Sequence, residues 1–179
     1  MTACDDAPSA RTRCFSRRAA TNAGDWGVLY PDAAVVYIRE ATLWTILNYS
    51  SEDTQSERGS LLFGRVRETT PPSVHIGGYV PAHDTTAGAA RLTFHHATWT
   101  QAQREAAVRF PDLQLVGWHH THPGLGVFLS GYDRFVHQHF FSSPWQVALV
   151  VDPVRQEFGF FQWRHGTIVD CGFRCGEAS

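Results

Sequence analysis

Leu115-Val-Gly-Trp-His-His-Thr-His-Pro-Gly124 is the stretch that most restricts how this chain can fold. It begins apolar, as a buried strand does, and ends in Pro and Gly, which stop a strand and open a loop. On an extended backbone, residues i and i+2 point to one side. His120 and His122 therefore share a face, while His119 and Thr121 look the other way. Ser130-Gly-Tyr-Asp133 follows after residues 123–129. It reads as a helix start, because Ser with an acid three residues later is a capping box. A helix N-terminus also favours an anionic group in its first turn, so Asp133 can serve the cap and still be aimed outward. Two imidazoles and one carboxylate supply three ligands for a zinc ion. Three protein ligands with the fourth position left to water is the catalytic pattern rather than the structural one.

A second His-x-His, His137-Gln-His139, lies in the predicted helix, where i and i+2 diverge. It is set aside as a metal site. A zinc hydrolase further needs a carboxylate beside the attacking water, to take its proton and deliver it to the leaving amine. Glu57, just ahead of the apolar run Leu61-Leu62-Phe63, meets that need if its strand lies beside the His strand. Glu52 and Glu68 are alternatives by composition.

Glu57 before Leu61-Leu62-x-Gly64, Val116-Gly-Trp-x-His120-Thr-His122-Pro-Gly, and Leu129-Ser130-x-x-Asp133 together resemble the JAMM/MPN-plus zinc metalloproteases. That family includes the deubiquitinating subunits of the proteasome lid and the signalosome, with bacterial and archaeal relatives. The resemblance runs from about Val35 to about Trp163. It implies that His120, His122 and Asp133 bind one Zn2+, that Glu57 is general base and acid, and that Ser130 donates to the oxyanion. It also implies an α+β fold: a single JAMM/MPN domain with a curved mixed β-sheet flanked by helices, cytidine-deaminase-like. The implied activity is hydrolysis of the amide bond after the C-terminal Gly of a ubiquitin or ubiquitin-like protein. That protein or its conjugate is the expected partner, with activating- and conjugating-enzyme-like proteins of the same pathway. Ser60 stands where relatives usually carry Gly, and His119 where many carry Tyr. Alternatives are a non-catalytic scaffold and processing of a sulfur-carrier protein. A RadC-type domain would carry Pro at the position of Leu129. Nucleobase deaminases need His-x-Glu and Pro-Cys-x-x-Cys, and the sequence contains neither.

Composition is consistent with a cytoplasmic enzyme. The 179 residues suit one domain, and the formal net charge of −2 gives no argument for nucleic acid or anionic membrane. No apolar run approaches the roughly 18 residues of a membrane span. Residues 1–28 read as a flexible tail and residues 29–179 as the metalloprotease domain. Cys4, Cys14, Cys171 and Cys175 lack the usual zinc-knuckle spacing and are expected as free thiols.

The pattern predicts a strand over 34–38 and a helix over 40–48. Strands at 60–67 and 73–80 flank a turn at Pro71-Pro72. Residues 84–90 are expected as a flexible loop and about 98–109 as a helix. Beyond the His strand come a helix from Ser130 to about Phe141 and strands over 146–151, 157–163 and 167–173. The short interval between Asp133 and Gln146 leaves no room for the second insertion that some eukaryotic relatives use to choose a ubiquitin-chain linkage. Phe128 and Leu129 are expected beside the metal as substrate contacts, with Trp118 as a further lining residue.

Overall fold

The computed structural model describes residues 20–22, 25–82 and 96–176. In chain order these form β1 (Ala20–Asn22), β2 (Asp25–Trp26), β3 (Val35–Ile38), α1 (Glu40–Ser51), β4 (Gly59–Arg67), β5 (Ser73–Pro81) and α2 (His96–Arg109). There follow β6 (Gln114–Thr121), α3 (Gly131–Phe140), β7 (Val147–Asp152), β8 (Glu157–Arg164), β9 (Thr167–Cys171) and β10 (Phe173–Cys175). The expected loop at 84–90 lies outside the described residues. No helix among the described residues is long and apolar enough to cross a membrane.

All ten strands join one mixed sheet, in the order β1-β2-β10-β3-β5-β4-β6-β7-β8-β9. β9 stands last in that order and β10 third from the other end, yet only Gly172 separates them along the chain. A flat sheet would space them by several intervals of about 4.8 Å, whereas two Cα–Cα steps span at most about 7 Å. The sheet therefore curls until its ends meet. Gly172 is required at that seam: a Cβ there would lie 2.2 Å from the Trp26 carbonyl oxygen.

The seam corrects two expectations. The strand expected over 167–173 is two strands, because the chain leaves β8 at Cys171 and from Phe173 runs between β2 and β3. The expected tail of 1–28 is too long: β2 pairs with β10 and β1 with β2, so residues within it already belong to the sheet.

Each face of the sheet carries its own apolar core. In α1, Leu43, Ile46 and Leu47 recur at helical spacing and pack against Leu62, Val74, Ile76 and Leu149. On the other face, Ala102 and Ala106 of α2 and Val136 of α3 cover Leu61, Phe63, Trp118 and Val150. β7 is buried along its whole length, as expected of a central strand covered on both faces. β6 and β7 run parallel, with α3 as their crossover. The loop from His122 to Ser130 thus sits where a strand's C-terminal end meets a helix N-terminus, the usual position for a site in such units.

Candidate metal centre

β6 presents His120 towards the α3 side, and His122 continues the line one residue beyond the strand, its N–H donating to the Val151 carbonyl at 2.8 Å. Both rings are buried, with their Nε2 atoms 3.1 Å apart. Trp118, two residues earlier on the same face, stacks on His120 at 4.4 Å between centroids and 9° between planes. Its indole N–H donates to His137 Nδ1 at 3.1 Å, so the plate under His120 is itself held.

Asp133 arrives from α3. The capping box read from the sequence is present: Ser130 N–H donates to Asp133 Oδ2 at 2.7 Å, and Asp133 N–H donates to Ser130 Oγ at 3.2 Å. The carboxylate also faces the imidazoles, with Oδ1 3.4 Å from His120 Nε2 and Oδ2 3.4 Å from His122 Nε2. The capping-box residue is thus also the carboxylate that faces both imidazoles. Burial pushes the Asp133 pKa up, but in the metal-free protein, with a proton on the Nε2 atoms that face it, hydrogen bonds from His120 and His122, joined by Ser130, prevail and hold it well below the usual carboxylate range.

These three residues form a metal-competent cluster, their ligand atoms all within 4.8 Å of one another. Tetrahedral zinc with N and O ligands at about 2.0–2.2 Å sets ligand separations of about 3.3–3.6 Å, close to those seen. A cation would take each Nε2 as a lone pair, which moves the ring proton to Nδ1. Both Nδ1 atoms are buried without a protein partner among the described residues. Two imidazole lone pairs and a carboxylate converging on one point is an arrangement that a divalent cation satisfies. The donor set fits zinc.

The register of β4 against β6 places Glu57. Gly59 pairs with His120 and Ser60 with His119. The antiparallel pairing extends to Arg58 and Thr121, with Thr121 N–H donating to the Arg58 carbonyl at 2.8 Å. Glu57 immediately precedes this pair, so continuing the antiparallel count would bring it towards His122. It is half-buried. Glu52 instead accepts from the Arg58 guanidinium at 2.7 Å, and Glu68 follows the far end of β4.

Of the expected substrate contacts, Phe128 is 43% exposed and lies against His122 at 4.7 Å. Trp118 is fully buried and Leu129 nearly so. Trp118 supports His120 and belongs to the core beneath α3, as does Leu129. Their expected lining role is corrected accordingly.

Ser60 and His119, noted separately as departures from the family pattern, are one feature. His119 Nδ1 lies 3.0 Å from Ser60 Oγ, and its Nε2 lies 2.8 Å from Ser50 Oγ on α1. Ser50 gives its hydroxyl proton to the Ile46 carbonyl. His119 Nε2 must then donate, and Nδ1 must accept from Ser60. Burial, seconded by the charges of His120 and Arg58, pushes the His119 pKa down to about 3. This neutral bridge ties α1 to β4 and β6 beside His120.

Asp152, the last residue of β7, was not singled out in the sequence. Its fully buried carboxylate accepts from Gly124 N–H at 2.9 Å and Gly126 N–H at 2.7 Å, and from the N–H groups of Val154 and Arg155. Burial raises its pKa, but those four backbone donors lower it further. It pins the loop between His122 and Ser130. A buried Asp ending an apolar strand was the available signal.

Comparison with known proteins agrees with this geometry. Residues 32–142 match the family model described as JAB1/Mov34/MPN/PAD-1 ubiquitin protease. COP9 signalosome complex subunit 5 of Caenorhabditis elegans is 49% identical over 45 residues, 24% of this chain and 12% of that protein. The 26S proteasome non-ATPase regulatory subunit 14 of Drosophila melanogaster is 48% identical over 46 residues, 25% of this chain and 15% of its own length. NAD(+) hydrolase TcpA of Theionarchaea archaeon (strain DG-70-1) is 31% identical over 87 residues, 48% of this chain and 25% of that protein. The chain thus spans a quarter or less of each of these relatives. The solution structure of a Desulfitobacterium hafniense protein shares the fold, with a TM-score of 0.60 at 15% identity over 80% of this chain and 94% of that one. The family match covers more than half of the chain and spans Glu57, His120, His122, Ser130 and Asp133, so the chain belongs to the JAB1/Mov34/MPN/PAD-1 ubiquitin protease family.

Proposed function

We propose that this chain is a zinc-dependent isopeptidase or peptidase that hydrolyses the amide bond after the C-terminal Gly of a ubiquitin or ubiquitin-like protein. The observation that carries the reading is the convergence of His120, His122 and Asp133; Glu57, immediately before the Arg58–Thr121 contact at the start of β4, supports it as the nearby carboxylate. His120, His122 and Asp133 hold the ion. Zinc supplies Lewis-acid polarisation of a carbonyl and lowers the pKa of a water it holds to about 7. Glu57 accepts the proton of the attacking water and returns it to the nitrogen as the C–N bond breaks. Ser130 Oγ accepts from Asp133 N–H, which leaves its own proton to donate to the developing oxyanion. A well-placed donor of that kind contributes about 3–4 kcal/mol. Phe128, exposed beside His122, meets the residues flanking the scissile bond.

The family description and the signalosome and proteasome relatives favour a ubiquitin-type substrate. A sulfur-carrier protein ending in Gly would undergo the same chemistry. The test is cleavage of a ubiquitin-like fusion by the zinc-loaded protein. Activity should vanish with a chelator, return with zinc, and be lost in Glu57→Ala while zinc remains bound. A zinc-loaded protein that cleaves no ubiquitin-like or sulfur-carrier tail would leave the scaffold reading in place.

A further inference from the structure

Between the two imidazoles stands a residue that the hydrolytic chemistry does not use. Thr121 is fully buried and points away from the metal face. Its hydroxyl oxygen accepts from the Arg58 backbone N–H at 2.8 Å, while its own N–H donates to the Arg58 carbonyl at 2.8 Å. Residues facing each other in a regular hydrogen-bonded antiparallel pair exchange two backbone N–H···O=C bonds. Here the Thr121 side chain takes the place of one carbonyl, at the point where β4 begins.

The location of that bond matters. The Arg58 N–H belongs to the peptide linking Glu57 to Arg58, so Thr121 Oγ1 holds the plane from which the Glu57 Cα departs. Arg58 is fixed from the other side as well. Its guanidinium donates to the Tyr49 carbonyl at 2.8 Å and to Glu52 at 2.7 Å, and lies 4.0 Å over the Tyr49 ring. The Tyr49 hydroxyl donates to the Gly59 carbonyl at 3.2 Å. A short segment entering β4 is thereby pinned to α1 and to the strand that carries both imidazoles.

We propose that Thr121 is a positioning residue for Glu57: its hydroxyl sets the Glu57–Arg58 peptide so that the carboxylate stays over the metal ligands. This rests on the assignment of Glu57 as general base. Thr121→Val keeps the shape and removes the acceptor, whereas Thr121→Ser keeps the acceptor.

The experiment compares both variants with the wild-type full chain, metal-free and zinc-loaded. In the metal-free protein, exchange of the Arg58 amide hydrogen, followed by NMR, should accelerate about tenfold in Thr121→Val and stay within about twofold in Thr121→Ser. Zinc content should remain one per chain in both. Because a misplacement of about 1 Å costs up to about a hundredfold, kcat for a ubiquitin-like fusion should fall about tenfold or more in Thr121→Val. KM should not move, and Thr121→Ser should recover the rate. Unchanged Arg58 exchange in Thr121→Val would overturn the clamp. Faster exchange with unchanged kcat would overturn the positioning role. A Glu57→Ala protein that turns over like wild type would remove Glu57 as the general base, and Thr121's role with it.

Discussion

Replacing His137 by Gln should make the metal-free protein less sensitive to acid by about 2 kcal/mol at about pH 5. His137 is fully buried on α3, and burial pushes its pKa down to about 4. In the unfolded chain it titrates near 6.5. Above that value neither state binds the proton and the residue adds no pH dependence. Between about 6.5 and about 4 the unfolded chain is protonated and the folded one is not, so stability falls with pH by about 1.4 kcal/mol per unit. At about pH 5 the loss is therefore about 2 kcal/mol, and it levels off below about 4. His119, held down to about 3, adds a similar loss over the same interval. Gln keeps an acceptor for the Trp118 N–H, which His137 Nδ1 accepts at 3.1 Å, so the substitution removes the titration with little change in packing. The assay is urea unfolding in chelator, followed by far-UV circular dichroism at about pH 7.5 and about pH 5, with equal m-values as the check on two-state behaviour. Wild type should lose about 4 kcal/mol from the two histidines and His137→Gln about half of that. Equal losses in the two proteins would refute burial of a neutral His137 as the cause.

Three further outcomes are expected. Ser60→Ala leaves the buried Nδ1 of His119 without its donor and should cost about 1–3 kcal/mol in urea unfolding; an unchanged midpoint would dissolve the Ser50–His119–Ser60 bridge. Ser130→Ala and Ser130→Gly both remove the oxyanion donor and should lower kcat about 10²–10³-fold. As an N-cap substitution, Ala should also cost about 1 kcal/mol but Gly only a few tenths, so melting curves that fail to separate the two variants would contradict the cap. Gly172→Ala forces a Cβ to 2.2 Å from the Trp26 carbonyl oxygen. It should cost about 3 kcal/mol and lower Tm by about 6–12 °C, and a melting temperature like that of wild type would show that the seam opens freely.

What was readable in the sequence divides by the range of the interaction that decides it. His120, His122 and Asp133 sit in one strand–loop–helix unit, so their convergence follows from strand periodicity and a capping box, both local rules. α3 and β7 were legible for the same reason. Glu57 was not assignable from its residues alone, because its place depends on pairing between segments some 60 residues apart. An irregularity between Leu62 and Phe63 shifts that register, so counting inward from the far end of β4 would put the wrong residue opposite His122. The same long-range register turns Ser60 and His119 from two unrelated departures into one hydrogen-bonded pair. It also lies behind the misreading of Trp118: sharing a face with His120 says only that the ring is near the metal, and α3, packed from above, makes it a support rather than a groove wall. A family pattern names ligands well because metal geometry is shared between relatives. The residues that hold the segments around them, Thr121 and Asp152 among them, act through backbone N–H groups that no side-chain motif records.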